Sequence, residues 1–311
     1  MEKNCVQVPP DSHLTLFNQM EFHQINPLPG QHPARYDYVI DRRLIGSLSG
    51  MVVGSEFVSG WSAPFGGPDM VRSSETATNV LGLIRSALDQ AASDGISVLR
   101  IKAKPDFYST SETAVQFGLL SLGFTVERCE LNFHIDLTQI ATIEDYVQRL
   151  KPSARRALKH STAEPFTFSE AIDDDAWLKG YQILEKNRRN RNRELSLSFD
   201  YVLGIRDRFP GRIRMYRLFH AARHCASALV YQVSDKRELV VYWGDADHAL
   251  ARSPMNVLVE RLVDRALRDG ILTIDVGTSS GGGRPMQSVI QFKESVLARP
   301  RLRLDFLHRK S

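Results

Sequence analysis

The chain has 311 residues, 24% of them charged, and a formal net charge of +4. That length suits about two domains with ordinary cores, and no apolar run approaches the roughly 18 residues that span a bilayer, so a helical membrane protein is excluded. Cys5, Cys129 and Cys225 are far apart with no C-x-x-C spacing, which argues against a disulfide framework and a zinc knuckle. The first residues lack the basic and apolar regions of a secretory signal, so the expected compartment is the cytoplasm.

In chain order, β-rich segments at 38–40, 44–53 and 56–61 predict three strands. A helix over 79–95 follows, in which Val80, Leu83, Ile84, Ala87, Leu88 and Ala91 keep i, i+3, i+4, i+7 spacing and Gly95 gives the stop. Next come the short strand Val98-Leu99-Arg100-Ile101, another short helix, and a strand around Leu131-Asn132-Phe133-His134. Thr142-Ile143-Glu144-Asp145 has the pattern of a capping box, and Pro152-Ser153 breaks and restarts the helix it opens. The series then begins again with strands at 212–219, 226–233 and 238–243. Met255, Leu258, Val259, Leu262, Val263, Ala266 and Leu267 make one apolar helical stripe, Gly270 ends it, and 271–276 reads as a buried strand before a last helix and strand.

The two series echo each other at an offset of about 175 to 180 residues, the mark of one unit used twice. Asn79-Val80-Leu81 and Asp94-Gly95-Ile96 are matched by Asn256-Val257-Leu258 and Asp269-Gly270-Ile271; Val115-Gln116-Phe117 is matched by Ile290-Gln291-Phe292. Three strands, a helix, a strand, a helix and a strand do not alternate strictly, so a mixed sheet fits better than a parallel one. The expected fold is α/β (α+β) in two domains, residues 1–138 and 139–311, each a mixed sheet flanked by helices. Residues 1–140 hold ten Lys and Arg against fifteen Asp and Glu, and residues 141–311 hold thirty against twenty-one. That asymmetry favours a polyanionic ligand on the second half, weighed against a merely solvated basic face.

The basic residues gather in two clusters, one with Arg149, Lys151, Arg155, Arg156 and Lys159, the other with Lys186, Arg188, Arg189, Arg191 and Arg193. Guanidinium groups grip phosphate oxygens bidentately, so Arg155, Arg188 and Arg189 are candidate phosphate contacts for a nucleotide, a coenzyme A or a tRNA end. Tyr242-Trp243-Gly244-Asp245 ends a predicted strand; there Tyr242 and Trp243 are candidate pocket walls and Asp245 a candidate base or substrate anchor. Gly277-Thr278-Ser279-Ser280-Gly281 satisfies G-x-S-x-G, but the one histidine after it, His308, lies with Asp305 in a terminal strand. A serine hydrolase is therefore disfavoured, and Ser279 is a candidate substrate contact in a Gly-rich loop. Histidines are scattered without metal-ligand spacing, and neither a Walker A sequence nor a G-x-G-x-x-G after a strand occurs, so no metal site is expected.

Between residues 146 and 299 stand Lys151-Pro152-Ser153-Ala154-Arg155-Arg156, Ala228-Leu229-Val230-Tyr231, Tyr242-Trp243-Gly244-Asp245, Asn256-Val257-Leu258 and Gln291-Phe292-Lys293-Glu294-Ser295. In these motifs the stretch resembles the FemAB-like branch of the GNAT acyltransferase superfamily. The first half resembles the amino-terminal copy of such proteins through His13-Leu14-Thr15-Leu16-Phe17 and Ala63-Pro64-Phe65-Gly66-Gly67. The resemblance implies two tandem GNAT-like domains, the second holding the active site, and transfer of an acyl group onto an amine such as an amino sugar, amino acid or peptide. It implies acyl-CoA as cosubstrate, or aminoacyl-tRNA as in the Fem transferases, and no metal. By the same resemblance Lys293 assists transfer, its ammonium neutralising the oxyanion of the tetrahedral intermediate, with Phe292 lining the site. The Q/R-x-x-G-x-G/A loop of coenzyme A-binding GNAT domains is replaced by Asp247-His248-Ala249-Leu250-Ala251-Arg252-Ser253-Pro254, without glycine. A tRNA-dependent aminoacyl transferase and a non-catalytic basic nucleotide- or nucleic-acid-binding protein stand as alternatives.

Overall fold

The computed structural model describes residues 13–25, 28–162, 165–246 and 253–310, so most of the 247–254 loop singled out above lies outside the described residues. The chain forms two compact units, residues 1–131 with 301–311, and residues 132–300. Unit 1 contains α1 (Met20–His23), β1 (Gln31–Ile40), β2 (Arg43–Val53), β3 (Glu56–Ser59), β4 (Asp69–Met70), α2 (Ala77–Ser93), β5 (Val98–Lys102), α3 (Glu112–Ser121) and the first part of β6 (Thr125–Asp136). Unit 2 takes the rest of β6, then α4 (Ile143–Arg149), α5 (Pro152–Thr162), β7 (Phe166–Glu170), α6 (Asp174–Arg189), α7 (Phe199–Arg208), β8 (Ile213–His220), β9 (Arg223–Ser234) and β10 (Arg237–Asp245). It continues with α8 (Pro254–Arg268), β11 (Thr273–Thr278), the two-residue strands β12 (Ser280–Gly281) and β13 (Arg284–Pro285), and α9 (Gln287–Ser295). The last strand, β14 (Arg299–Arg309), lies mostly in unit 1.

Strands run β1-β2-β3-β5-β14-β6 in unit 1 and β6-β11-β10-β9-β8-β7 in unit 2. β3 pairs parallel with β5 and β10 parallel with β11, while the hairpin neighbours β1–β2 and β9–β10 are antiparallel. Each unit is thus a mixed sheet with helices, as the broken strand–helix alternation requires. The helical stripes do the packing expected of them. In α2, Val80, Leu83, Ile84, Ala87 and Ala91 are buried; in α8, Leu258, Val259, Leu262, Val263 and Ala266 are, with Val257 added. Arg265 of α8 also meets the buried Glu238 of β10 through both guanidinium nitrogens, tying that helix to the strand that carries the site.

One boundary differs from the expectation of a break at residue 138. Asp305–Arg309 pair with Val98–Lys102, and Phe306 is fully buried in the core of unit 1, whereas Asn132, His134, Ile135 and Asp136 pair with β11 in unit 2. The physical reason lies in the strands themselves. Leu131-Asn132-Phe133-His134 and Leu304-Asp305-Phe306-Leu307 carry nearly the same apolar alternation, so local pattern cannot decide which unit each one completes.

The pairing of β10 with β11 decides where a site can form. Registered pairs cover only Arg237–Leu239 against Thr273–Asp275, although β10 continues to Asp245 and β11 to Thr278. In unit 1 the corresponding parallel pair, β3 with β5, is registered along all of β3. Beyond Leu239 and Asp275 the two strands no longer pair with each other, although β10 stays paired with β9 and Thr278 with Asn132, so their facing backbone groups do not satisfy one another as a ladder.

Candidate active site

α9 starts after the β12–β13 hairpin and carries Lys293 in its last turn, buried to 2% exposure. Its Nζ donates to the carbonyl oxygens of Gly277 at 2.8 Å and Thr278 at 2.9 Å, and stands 5.6 Å from the centre of the Phe133 ring. Burial pushes this amine down to about 7; the Asp275 carboxylate pulls it back up and the Arg188 guanidinium adds to the lowering. The two carbonyls occupy two N–H directions of a tetrahedral nitrogen. The remaining direction is an N–H donor when the group is charged and a lone pair when it is neutral, so Lys293 can either hold an oxyanion or accept a proton near neutral pH.

The end of β10 supplies the other groups. The Tyr242 hydroxyl is bonded to Ser196, taking the backbone N–H at 3.1 Å and sharing a 2.6 Å bond with its Oγ. The half-buried Arg188 lies over the Tyr242 ring at 5.4 Å, and Trp243 meets Phe292 edge-on at 5.9 Å. Asp245 is buried to 8% exposure; Nδ2 of the buried Asn187 donates 2.9 Å bonds to its Oδ1 and to its backbone carbonyl. Gly244 makes this possible, because a Cβ there would stand 2.5 Å from Asn187 Cγ. Gly244→Ala is expected to push Asn187 off Asp245, destabilising the unit by about 1–3 kcal/mol as overpacking does. Denaturant titration checks this, and an unchanged midpoint would mean that Asn187 swings aside freely.

An acetyltransferase (GNAT) domain family model matches residues 148–285, the span that carries α6, the strands β7 to β11 and the parting of β10 from β11. The protein is an acyltransferase with a GNAT domain over residues 148–285. The solved structure of FemX is similar over 96% of this chain and 94% of its own, with a TM-score of 0.70 at 11% identity. The C-terminal domain of a putative lysylphosphatidylglycerol synthetase from Agrobacterium fabrum is similar over 93% of this chain and 87% of its own, with a TM-score of 0.58 at 12% identity. The structure of L-PGS from Bacillus licheniformis is similar over 90% of this chain and 84% of its own, with a TM-score of 0.54 at 13% identity. A search of curated protein sequences finds no match. The FemAB-like arrangement expected from the motifs is thus the observed fold.

Lys293, Phe292, Trp243, Tyr242 and Arg188 form a connected set around α9 and the end of β10. Ser279 is fully buried one residue beyond the Thr278 carbonyl; its Oγ makes no hydrogen bond among the described residues, and its carbonyl accepts from the Met286 N–H. The other two arginines face elsewhere. Arg155 is exposed on α5 and donates to the Gln148 carbonyl, and Arg189 is exposed and paired with Glu185 of its own helix at 2.9 Å. Asn187, Asn132, Phe133 and the carbonyls of Gly277 and Thr278 belong to the site without having been singled out as its members. Asn132-Phe133 carried a strand signal only, and carbonyl positions carry no sequence signal at all. Among the described residues no group of three or more His, Cys, Asp or Glu is placed to hold a metal ion, and no helix is long and apolar enough to cross a membrane.

Proposed function

We propose that this acyltransferase joins an activated acyl group to a primary amine beside Lys293, with an amino sugar, amino acid or peptide as acceptor. The observation that carries the reading is the seat of Lys293: a buried amine held by two carbonyls, with a proton affinity set near neutral pH. An amine acceptor reaches the enzyme largely as its ammonium and has to shed a proton to attack. Neutral Lys293 takes that proton, and the ammonium so formed faces the oxyanion of the tetrahedral intermediate and returns a proton to the leaving group, while the second proton shed by the attacking nitrogen passes to water. The nitrogen–carbonyl bond forms and the donor's thioester or ester bond breaks, with no redox change. Asp245, steadied by Asn187, anchors the acceptor, and Tyr242, Trp243 and Phe292 wall the site.

Acyl-CoA is the donor that the GNAT domain implies, and the parting of β10 from β11 suits a slender pantetheine arm. A second reading, aminoacyl-tRNA, is favoured by the start of α8. There Pro254 has no N–H, and the Asn256 N–H is bonded to the Ser253 carbonyl at 3.0 Å, so this helix end has fewer donors to give a diphosphate. Arg188, without a carboxylate partner among the described residues, serves the anionic part of either donor. The test is incubation with a panel of acyl-CoAs and charged tRNAs, with mass detection of the acylated amine. Product that disappears on ribonuclease treatment and falls steeply with salt assigns the tRNA donor; product unaffected by ribonuclease assigns acyl-CoA. A folded protein that turns over neither, yet binds nucleic acid, would favour the non-catalytic alternative.

A further inference from the structure

We infer that Asp275 is the positioning residue for Lys293: its buried carboxylate fixes the Gly277–Thr278 turn whose two carbonyls seat the amine, and its charge faces that amine from within β11. The inference rests on the reading of Lys293 as the reacting amine. Asp275 is 1% exposed, and its Oδ1 accepts from the Gly277 N–H at 2.8 Å and from Nδ2 of the buried Asn132 at 2.9 Å. A carboxylate bonded to the N–H two residues ahead closes an Asx turn, which reverses the chain locally. Gly277 takes φ +72° in that turn, a conformation that residues with a Cβ rarely adopt.

The consequence is geometrical. In a regular strand successive carbonyls point to opposite sides, so the neighbouring carbonyls of Gly277 and Thr278 would not meet one nitrogen. Both reach Lys293 Nζ, at 2.8 and 2.9 Å, because the chain kinks at Gly277. Asn132, on β6, holds the carboxylate from the other side, so the seat is assembled from β6, β11 and α9. The groups that face Lys293 are Asp275 from β11, Arg188 from α6 and the Phe133 ring from β6. Of these Asp275 alone is an anion, and it opposes both the burial and the arginine.

The experiment follows the Cε resonance of Lys293 with pH in the full chain carrying 13Cε-labelled lysine, assigned by its loss in Lys293→Met. The wild-type resonance should titrate near 7. Asp275→Asn keeps an oxygen for the Gly277 N–H and removes the charge, so the midpoint should fall by about one unit or more. A midpoint within about 0.3 of wild type in the folded variant, well under the unit or more that one facing charge produces, overturns the inference. Should that variant fail to fold, Gly277→Ala decides, since it strains the turn without touching a charge. A displaced Lys293 resonance supports the inference and an unmoved one overturns it. The titration is independent of turnover, so a wild type that acylates nothing would sink the acyl-transfer reading while the Asp275–Lys293 result stood by itself.

Discussion

Lys293→Met is expected to lower acyl transfer by about 10²- to 10⁴-fold, the usual worth of a general acid–base group, while the protein stays folded. The fold should survive because two opposing terms are removed together. Lowering a lysine from 10.5 to about 7 means that its burial costs several kcal/mol at neutral pH. Its loss leaves the Gly277 and Thr278 carbonyls without their donor, at about 1–3 kcal/mol each. Because the folded-state pKa lies below the unfolded one, the unfolded chain binds more protons between about 7 and 10.5, and this residue makes the wild type more stable as pH rises through that window. The Met variant should lack that slope in denaturant titrations. In the wild type, kcat/KM should rise with pH through about 7, since the free enzyme must present the neutral amine. A profile falling through the same pH would mean that only the ammonium matters. Retention of wild-type turnover by the Met variant would end the assignment.

What the sequence could disclose follows from which interactions are local. The stripes of α2 and α8 were legible because each buries one continuous helical face, and Gly95 and Gly270 close them with positive φ. The alternating strands of both units were legible for the same reason. β7, with exposed or half-buried residues throughout, offers no such apolar signature. The destination of the terminal strands was not legible, since two similar patterns compete and only long-range packing chooses. The site divides in the same way. Tyr242, Trp243 and Phe292 declare themselves as aromatics beside a carboxylate or a lysine, but Lys293 reads by itself as an ordinary polar residue near a helix end. Its burial is produced by a backbone kink more than a dozen positions earlier and by a ring on β6, neither of which its own neighbours encode. Arg155 and Arg189, grouped with other cations in the sequence, lie in separate exposed contacts.

In unit 1, Asp69→Ala should be the most damaging single change, costing about 3–5 kcal/mol, as breaking a buried ion pair does. Asp69 Oδ1 takes the Lys104 ammonium at 2.6 Å, and Oδ2 accepts from the Thr15 N–H, Thr15 Oγ1 and Asn18 Nδ2. Lys104 is 1% exposed and also reaches the Pro68 carbonyl, and Glu112 at 3.3 Å. Burial would lower Lys104, but the two carboxylates outweigh it and hold the group up to about 12. One cation between two buried carboxylates leaves one negative charge in surplus. Burial raises Glu112 to about 7, with Lys104 pulling it down and Asp69 pushing it up, so Glu112 keeps its proton over most of the acid range. Its folded pKa lies above the unfolded value of 4.5, so its stabilising contribution is full below 4.5 and is lost as pH rises through about 7. Glu112→Gln fixes the neutral state and should be as stable as wild type at pH 5 and more stable at pH 8. Asp69→Ala, in contrast, takes the nearer carboxylate from Lys104 and strands three further donors at either pH. Denaturant unfolding of both variants at the two pH values separates these outcomes. An Asp69→Ala midpoint equal to wild type would show that water reaches the cluster, and a Glu112→Gln variant without any gain at pH 8 would show that Lys104 serves both carboxylates at once.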